Sequence, residues 1–293
     1  MSDRDLSRRQ FVLLAGTGLL GKNLGLAQPV KITARQVVER IKTNVGVPWQ
    51  TETVDIFKVG DPDKAIQGIA TTFMSTLDVL KRASAAGRNF IITHEPTFYN
   101  HLDITKGLLD DPIYLYKQEF IKKNDLVVWR FHDHWHARRP DGIFLGFNKA
   151  IGWQKYQVGD NDKLYHLPAT TLEGVAKEIQ TRLKSRSVRV VGDPQLPVTR
   201  VGHGFHTLPG SLPRLPDVDA MIIGEAREWE VIEYFRDTVA SGQKKGLVLI
   251  AHEILEEAGM EECARWLRTF VSEVPIEFVP TREPYWRPAE LRK

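Results

Sequence analysis

"NFIITHEP" (residues 89–96) decides how the chain is read, because Phe90, Ile91, Ile92 and Thr93 run straight into His94, Glu95 and Pro96. A short unbroken run of apolar and β-branched residues reads as a strand buried on both faces. The pattern recurs along the chain. "DLVVWRFH" (125–132) ends on His132, "DVDAMIIGE" (217–225) ends on Gly224 and Glu225, and "GLVLIAHE" (246–253) ends on His252. "IQGIATTF" (66–73), "SVRVVG" (187–192) and "TRVGHG" (199–204) add further β-rich segments.

Helical patterns separate these runs. In "TARQVVERIK" (33–42), Thr33 and Gln36 form a capping-box pair ahead of Val37, Val38 and Ile41. "STLDVLKRASAAG" (75–87) offers a second box in Ser75 and Asp78, and Gly87 as its C-terminal stop. "TLEGVAKEIQTRL" (171–183), a segment running to Gly242, and "EEAGMEECARWLRTF" (256–270) complete the set. Strands alternating with helices predict an α/β fold with largely buried strands. A Gly- and Asp-containing link near 158–163 divides two halves of similar grammar. The expected division is an N-terminal α/β lobe at 28–160, a C-terminal α/β lobe at 161–275, and an extended tail at 276–293 containing Pro280, Pro284 and Pro288.

The composition sets bounds. The 293 residues are 42% hydrophobic and 26% charged, ordinary for a globular chain, and the formal net charge of +3 gives no reason to expect nucleic acid. Cys263 is the only cysteine, which excludes an internal disulfide framework and any cysteine-rich metal site. At the N-terminus, "SRRQF" (7–11) precedes the apolar "VLLAGTGLLG", then Lys22 and "GLAQP". That order is expected of a twin-arginine export signal at residues 1–27, read by the twin-arginine machinery and placing the protein in the periplasm or another extracytoplasmic space. Ten apolar residues are too few for a stable membrane anchor. Loss of Arg4, Arg8, Arg9 and Lys22 against Asp3 and Asp5 would take the net charge to +1.

Ligands of α/β sheets collect outside the carboxyl ends of the strands. Four such ends carry metal-competent residues: His94 with Glu95, the stretch His132 to His136, Glu225, and His252 with Glu256 one helical turn beyond. A single strand-end histidine is more often a hydrogen-bonded structural residue. Four together are not explained as core, since buried imidazoles and carboxylates need partners. A donor set of nitrogen and oxygen without thiolate suits Zn, Mn, Fe, Co or Ni. If "FHDHWH" (131–136) is extended, His132, His134 and His136 share one face, and His134 either orients a ligand or faces solvent. Glu225 and His134 are the candidates for general base or acid. His203 and His206, in the Gly-rich "GHGFH" (202–206), could contact substrate, and Arg138 and Arg139 could meet an anion or form a solvated turn.

"IITHEPTFY", "GEAREWEVIEY" and "LIAHEILEEAGMEECARWL" resemble the three signature segments of the Ngg-one-interacting-factor-three family, whose members are also described as GTP cyclohydrolase I type-two-like. The resemblance spans about residues 33 to 273. It implies two intertwined α/β lobes with mixed sheets, a two-metal site in the cleft between them, and a homo-oligomer. It carries His94, His252 and Glu256 to ligand positions and Glu225 to a near-site position. Glu95 stands where the family has its second histidine. Four residues after His132, His136 stands where the family has an aspartate. His136 is then the expected ligand, with His132 as the alternative. The resulting expectation is a metal-dependent hydrolase with two divalent transition metals acting on an amide, cyclic amidine or phosphoester of a small molecule. The alternative is a non-catalytic metal-binding or interaction protein of the cell envelope.

Overall fold

The computed structural model describes residues 31–285. The expected export signal and the last part of the expected tail lie outside them. In chain order the elements are α1 (Ala34–Asn44), β1 (Phe57–Val59), β2 (Ile69–Met74), α2 (Leu77–Ala85), β3 (Phe90–Glu95), α3 (Pro112–Lys123), β4 (Val127–Arg130), α4 (Asp133–Ala137) and α5 (Gly142–Ile151). There follow β5 (Gln157–Val158), β6 (Asn161–Thr171), α6 (Leu172–Leu183), β7 (Arg189–Val191), β8 (Pro197–His203), α7 (Leu208–Ser211), β9 (Ala220–Ile223), α8 (Glu233–Ala240), β10 (Gly246–Leu249), α9 (His252–Leu267) and β11 (Ile276–Phe278).

The strands form two mixed sheets. The first runs β1-β4-β3-β2-β11, with β1 antiparallel to β4 and the rest parallel. The second runs β5-β6-β8-β9-β10-β7, with β8, β9 and β10 parallel at its centre. The chain leaves the first sheet after β4, builds the whole second sheet, and returns to add β11 beside β2. This return makes the fold intertwined. The Gly159–Asp160 link is the tip of the β5–β6 hairpin, within the second sheet. The start of the expected tail is β11, so its extended conformation is stabilised by parallel pairing of Ile276, Glu277 and Phe278 with Ile69, Ala70 and Thr71.

Helices α5 and α9 join the two cores. Ile143 and Phe144 of α5 pack in the first apolar cluster with Met260 and Leu267 of α9, whereas Phe147 and Ile151 pack in the second with Leu255. Their backbones touch because a glycine faces each crossing point. A Cβ on Gly146 would stand 2.3 Å from Ala258 O, and one on Gly259 would stand 2.4 Å from Ile143 Cα. No side chain larger than hydrogen fits either position. The contact holds α9 close against α5, and α9 begins at His252.

Local signals behave as expected at α1, where the Thr33–Gln36 capping box is complete. They shift at α2, whose cap is Thr76 rather than Ser75: Thr76 Oγ1 accepts from Val79 N, while the Ser75 amide is held by Thr93 Oγ1. Ser75 is still part of the buried exit from β2, where its hydroxyl donates to Thr97. A larger correction concerns "FHDHWH". The strand stops at Arg130 and the segment turns into the short helix α4. Buried Asp55 causes the turn, accepting the backbone N–H groups of His132, Asp133 and His134 at 2.6–3.0 Å.

Candidate metal centre

Helical geometry at α4 divides its histidines. His132 and His136, four residues apart, lie on one face, and their ring centroids are 4.9 Å apart. His134 turns the other way into the core, 2% exposed, stacked on Trp49 with centroids 3.6 Å apart. Its Nε2 accepts from Gln50 N at 2.9 Å and its Nδ1 donates to Asp55 Oδ2 at 2.7 Å. Both nitrogens are committed, so His134 has no free atom for acid–base work, and the three histidines do not share a face as an extended strand would require.

Four other histidines gather around one point. His94 Nδ1 is 3.1 Å from Phe131 O, His132 Nδ1 is 2.9 Å from Asp133 Oδ1, and His136 Nδ1 is 3.0 Å from Asp141 Oδ2. His252 Nδ1 is 3.5 Å from Glu225 Oε2. Each of these partners can only accept, so the rings of His94, His132 and His136 donate through Nδ1 and present an Nε2 lone pair, while His252 faces Glu225 at ion-pair distance. Those lone pairs converge. Ligand atoms of His94, His132 and His136 lie within 4.8 Å of one another, as do those of His94, Glu95 and Glu256. His252 Nε2 is 3.1 Å from Glu256 Oε1, and His94 Nε2 is 3.3 Å from Glu256 Oε2. Glu95 Oε1 is 3.9 Å from the Nε2 atoms of both His132 and His252.

The cluster is incomplete by protein atoms alone. His94 Nε2 and Glu256 Oε2 are buried and have no hydrogen-bond partner. Orphaned buried polar atoms are costly, and imidazole lone pairs aimed together repel unless a cation lies among them. Burial, helped by the charge of His132, lowers the His94 pKa. His252 shows the opposite balance: burial alone would lower it, but Glu256, Glu225 and Glu95 raise it well above the usual imidazole value. Burial alone would raise the pKa of Glu256, yet His252 and His94 hold it well below the usual carboxylate range. The carboxylates thus attract positive charge that the buried His94 does not readily carry as a proton. The donor set of imidazole and carboxylate fits a divalent transition metal, and the cluster could hold one.

Residues around the cluster keep it in place. Asp141 caps α5 through Ile143 N, pairs with Lys163 at 3.0 Å, and orients His136. Fully buried Arg130 donates to His94 O, to His101 O, and to Glu95 Oε2 at 3.1 Å. The glutamate at the strand end therefore meets a guanidinium on one oxygen and turns the other to the cluster. Trp135 Nε1 donates to Gly259 O at 3.2 Å, tying α4 to α9. Asp55, Arg130 and Asp141 carry no motif, and only their contacts reveal their part. A capping offset two residues before Ile143 was the one available signal, for Asp141.

The cluster opens into a cavity of about 1010 Å³, lined among others by His132, Glu225, His203, His206, Lys163 and Phe144. Gly204 is required in this wall, since a Cβ there would lie 2.3 Å from Met221 Sδ. Glu225 stands at the rim with its side chain 63% exposed. Trp135 is core, whereas Trp229, Tyr99 and Tyr285 are exposed. Arg138 stacks over Trp135 and Trp266 rather than facing the cavity.

The class that the fold and site define is an intertwined two-sheet α/β body with a buried His/Glu cluster, able to hold a metal, at its strand ends. The chain belongs to the Duf34/NIF3 (NGG1p interacting factor 3) family, whose model matches residues 32–284. A GTP cyclohydrolase 1 type 2 homolog of Clostridium perfringens is 28% identical over 144 residues, 46% of this chain and 54% of that protein. The match thus spans about half the length of that relative. Among solved structures, a Bacillus cereus protein related to NIF3 superposes with a TM-score of 0.70 at 12% identity, covering 88% of this chain and 99% of that one. A Staphylococcus aureus hypothetical protein gives 0.69 at 16%, covering 88% and 99%. Reduced HcgD from Methanocaldococcus jannaschii gives 0.56 at 17%, covering 86% and 99%. At these identities the likeness shows a shared fold.

Proposed function

We propose that this protein is a metal-dependent hydrolase, with two divalent transition metals bound by His94, Glu95, His132, His136, His252 and Glu256. The substrate class is a small molecule with an amide, cyclic amidine or phosphoester to be cleaved. The observation that carries this reading is the convergence of four imidazoles and two carboxylates on one cavity, with the Nδ1 atoms of His94, His132 and His136 hydrogen-bonded from behind and that of His252 facing Glu225. When bound, such ions supply Lewis acidity and a water that ionises near neutral pH. The chain's own part is to fix the imidazole tautomers through Phe131 O, Asp133, Asp141 and Glu225, so that the donors need no reorganisation. Glu225, at the cavity rim beside His252, is the proton acceptor in this reading. His134, with both nitrogens committed, is a support for α4.

A second reading, a metal-binding interaction protein, draws on exposed apolar side chains in the segment that runs on from Tyr99 in the cavity wall: Tyr99, Leu102, Ile104, Leu109 and Ile113 are each more than half exposed. Export by the twin-arginine route and self-association belong to the same proposal, resting on the N-terminal motif and on the family respectively. Cell fractionation and sedimentation test those two parts.

The central test is elemental analysis of protein purified without chelator, with about two metal ions per chain expected. Protein without metal, whose melting temperature does not move on adding Zn or Mn, would overturn the reading. Turnover of phosphoester, amide and cyclic amidine panels that disappears in His252→Ala favours the hydrolase. Tight metal binding without turnover favours the interaction protein.

A further inference from the structure

The last residue of β8 is a buried histidine that the metal centre does not use. His203 is 1% exposed and lines the cavity wall, between the rings of Phe144 and Phe147. Its Nε2 is 3.0 Å from Tyr165 Oη. Tyr165 has one proton, and that proton faces two acceptors, Asn148 Oδ1 at 2.5 Å and Asp162 O at 2.9 Å. Asn148 donates its amide to Asp162 O, which fixes Oδ1 as the atom facing the phenol. Since the phenol proton is already engaged, Oη can offer His203 only a lone pair. His203 therefore donates through Nε2, and its Nδ1 is an unprotonated acceptor.

That acceptor is buried and has no partner. Burial, reinforced by Lys163 and Arg214, pushes the His203 imidazole down to about 3, so it gains no second proton in ordinary buffers. The rings beside it are flat and apolar, and the nearest cation to them is Lys163, whose Nζ sits 4.5 Å from the centroid of Phe144 and 5.8 Å from that of Phe205. An aprotic anion, such as a carboxylate or fully ionised phosphate, would oppose its lone pairs to Nδ1. A planar N–H or an O–H would complete it.

We propose that His203 Nδ1 is a specificity-determining acceptor, selecting ligands that present an N–H or O–H donor from a flat, uncharged group of the amide or lactam kind. The proposal takes from the hydrolase reading that this cavity receives the substrate, and it needs nothing from the metal.

The test uses zinc-supplemented full chain labelled with ¹⁵N in histidine, and two probes, 2-pyridone and N-methyl-2-pyridone. The free protein should show His203 as the Nε2–H tautomer, and 2-pyridone should move its Nδ1 resonance. The N-methyl probe should bind about tenfold more weakly, the difference expected for one buried hydrogen bond. His203→Phe should erase that ratio with zinc content unchanged, and Tyr165→Phe, which frees the ring to change tautomer, should narrow it. A protonated Nδ1, equal affinity for the two probes, or 2-pyridone that leaves Nδ1 unmoved would overturn the proposal. Zinc content of the same sample reports separately on the hydrolase reading. Absent zinc with probe discrimination intact sinks that reading and keeps this one, and bound zinc with no discrimination does the reverse.

Discussion

The two faces of α4 carry the same residue type within five positions and do opposite things. On the inner face, His134 has an acceptor, a donor and a stacked Trp49, and nothing about it is unfinished. On the outer face, His132 and His136 are tied at Nδ1, and they gather with His94, His132 Nε2 also facing Glu95. Polar satisfaction, rather than residue identity or burial, separates a structural histidine from one offered to a ligand. A completed hydrogen-bond set stabilises the fold. A half-completed set, held rigidly, has room for a metal.

The largest expected effect sets the two faces against each other. His252→Ala and Glu256→Ala should each lose bound metal, read by elemental analysis, while the far-ultraviolet circular dichroism stays native. His134→Ala should keep its metal and instead lose about 2–4 kcal/mol of stability in denaturant titration, since it leaves a cavity and an orphaned Asp55 oxygen. Metal retained in Glu256→Ala, or lost in a still-folded His134→Ala, would break the comparison.

The same contrast explains what could be read from the sequence. Apolar runs ending at His94, His132, Glu225 and His252 located the strands and the edge of the sheet where chemistry gathers, because burial leaves a compositional trace. His252 and Glu256 were legible as a pair because helical spacing is local. The inner and outer faces of α4 were not. Their separation depends on Asp55, some 80 residues earlier, capping a helix where alternation suggested a strand. The Arg130 clamp on Glu95 and the return of β11 to the first sheet are likewise products of tertiary contact.

A second way to sharpen the comparison is to move the outer face without touching it. Gly259→Val should push α9 away from Ile143, costing about 1–3 kcal/mol by overpacking and reducing metal occupancy through displacement of His252 and Glu256. Native occupancy in a destabilised Gly259→Val protein would show that the crossing does not set the centre's geometry. Asp141→Asn is gentler. Losing the charge that orients His136 should weaken metal binding by about 10–100-fold in competition with a chelator, with the fold retained.

Lys117 lies between the two extremes, and its effect is confined to alkaline pH. It is buried, it donates to Thr97 O at 2.5 Å, and its ammonium otherwise faces the rings of Phe98 and Tyr99. Burial, only partly offset by Asp103, pushes it down to about 8 from an ordinary value of 10.5. The sign follows from proton counting. Between about pH 8 and 10.5 the folded chain has released this proton while the unfolded chain still holds it, so stability rises with pH across that window. Below it both states are charged, and the folded state carries the burial penalty in full. Chemical denaturation of the native protein should therefore gain up to about 3 kcal/mol between pH 8 and 10.5 relative to Lys117→Met, whose difference from the native chain removes the other titrating groups. Parallel curves for the two proteins would mean that Thr97 O and the aromatic faces satisfy the ammonium as completely as Asp55 and Gln50 satisfy His134.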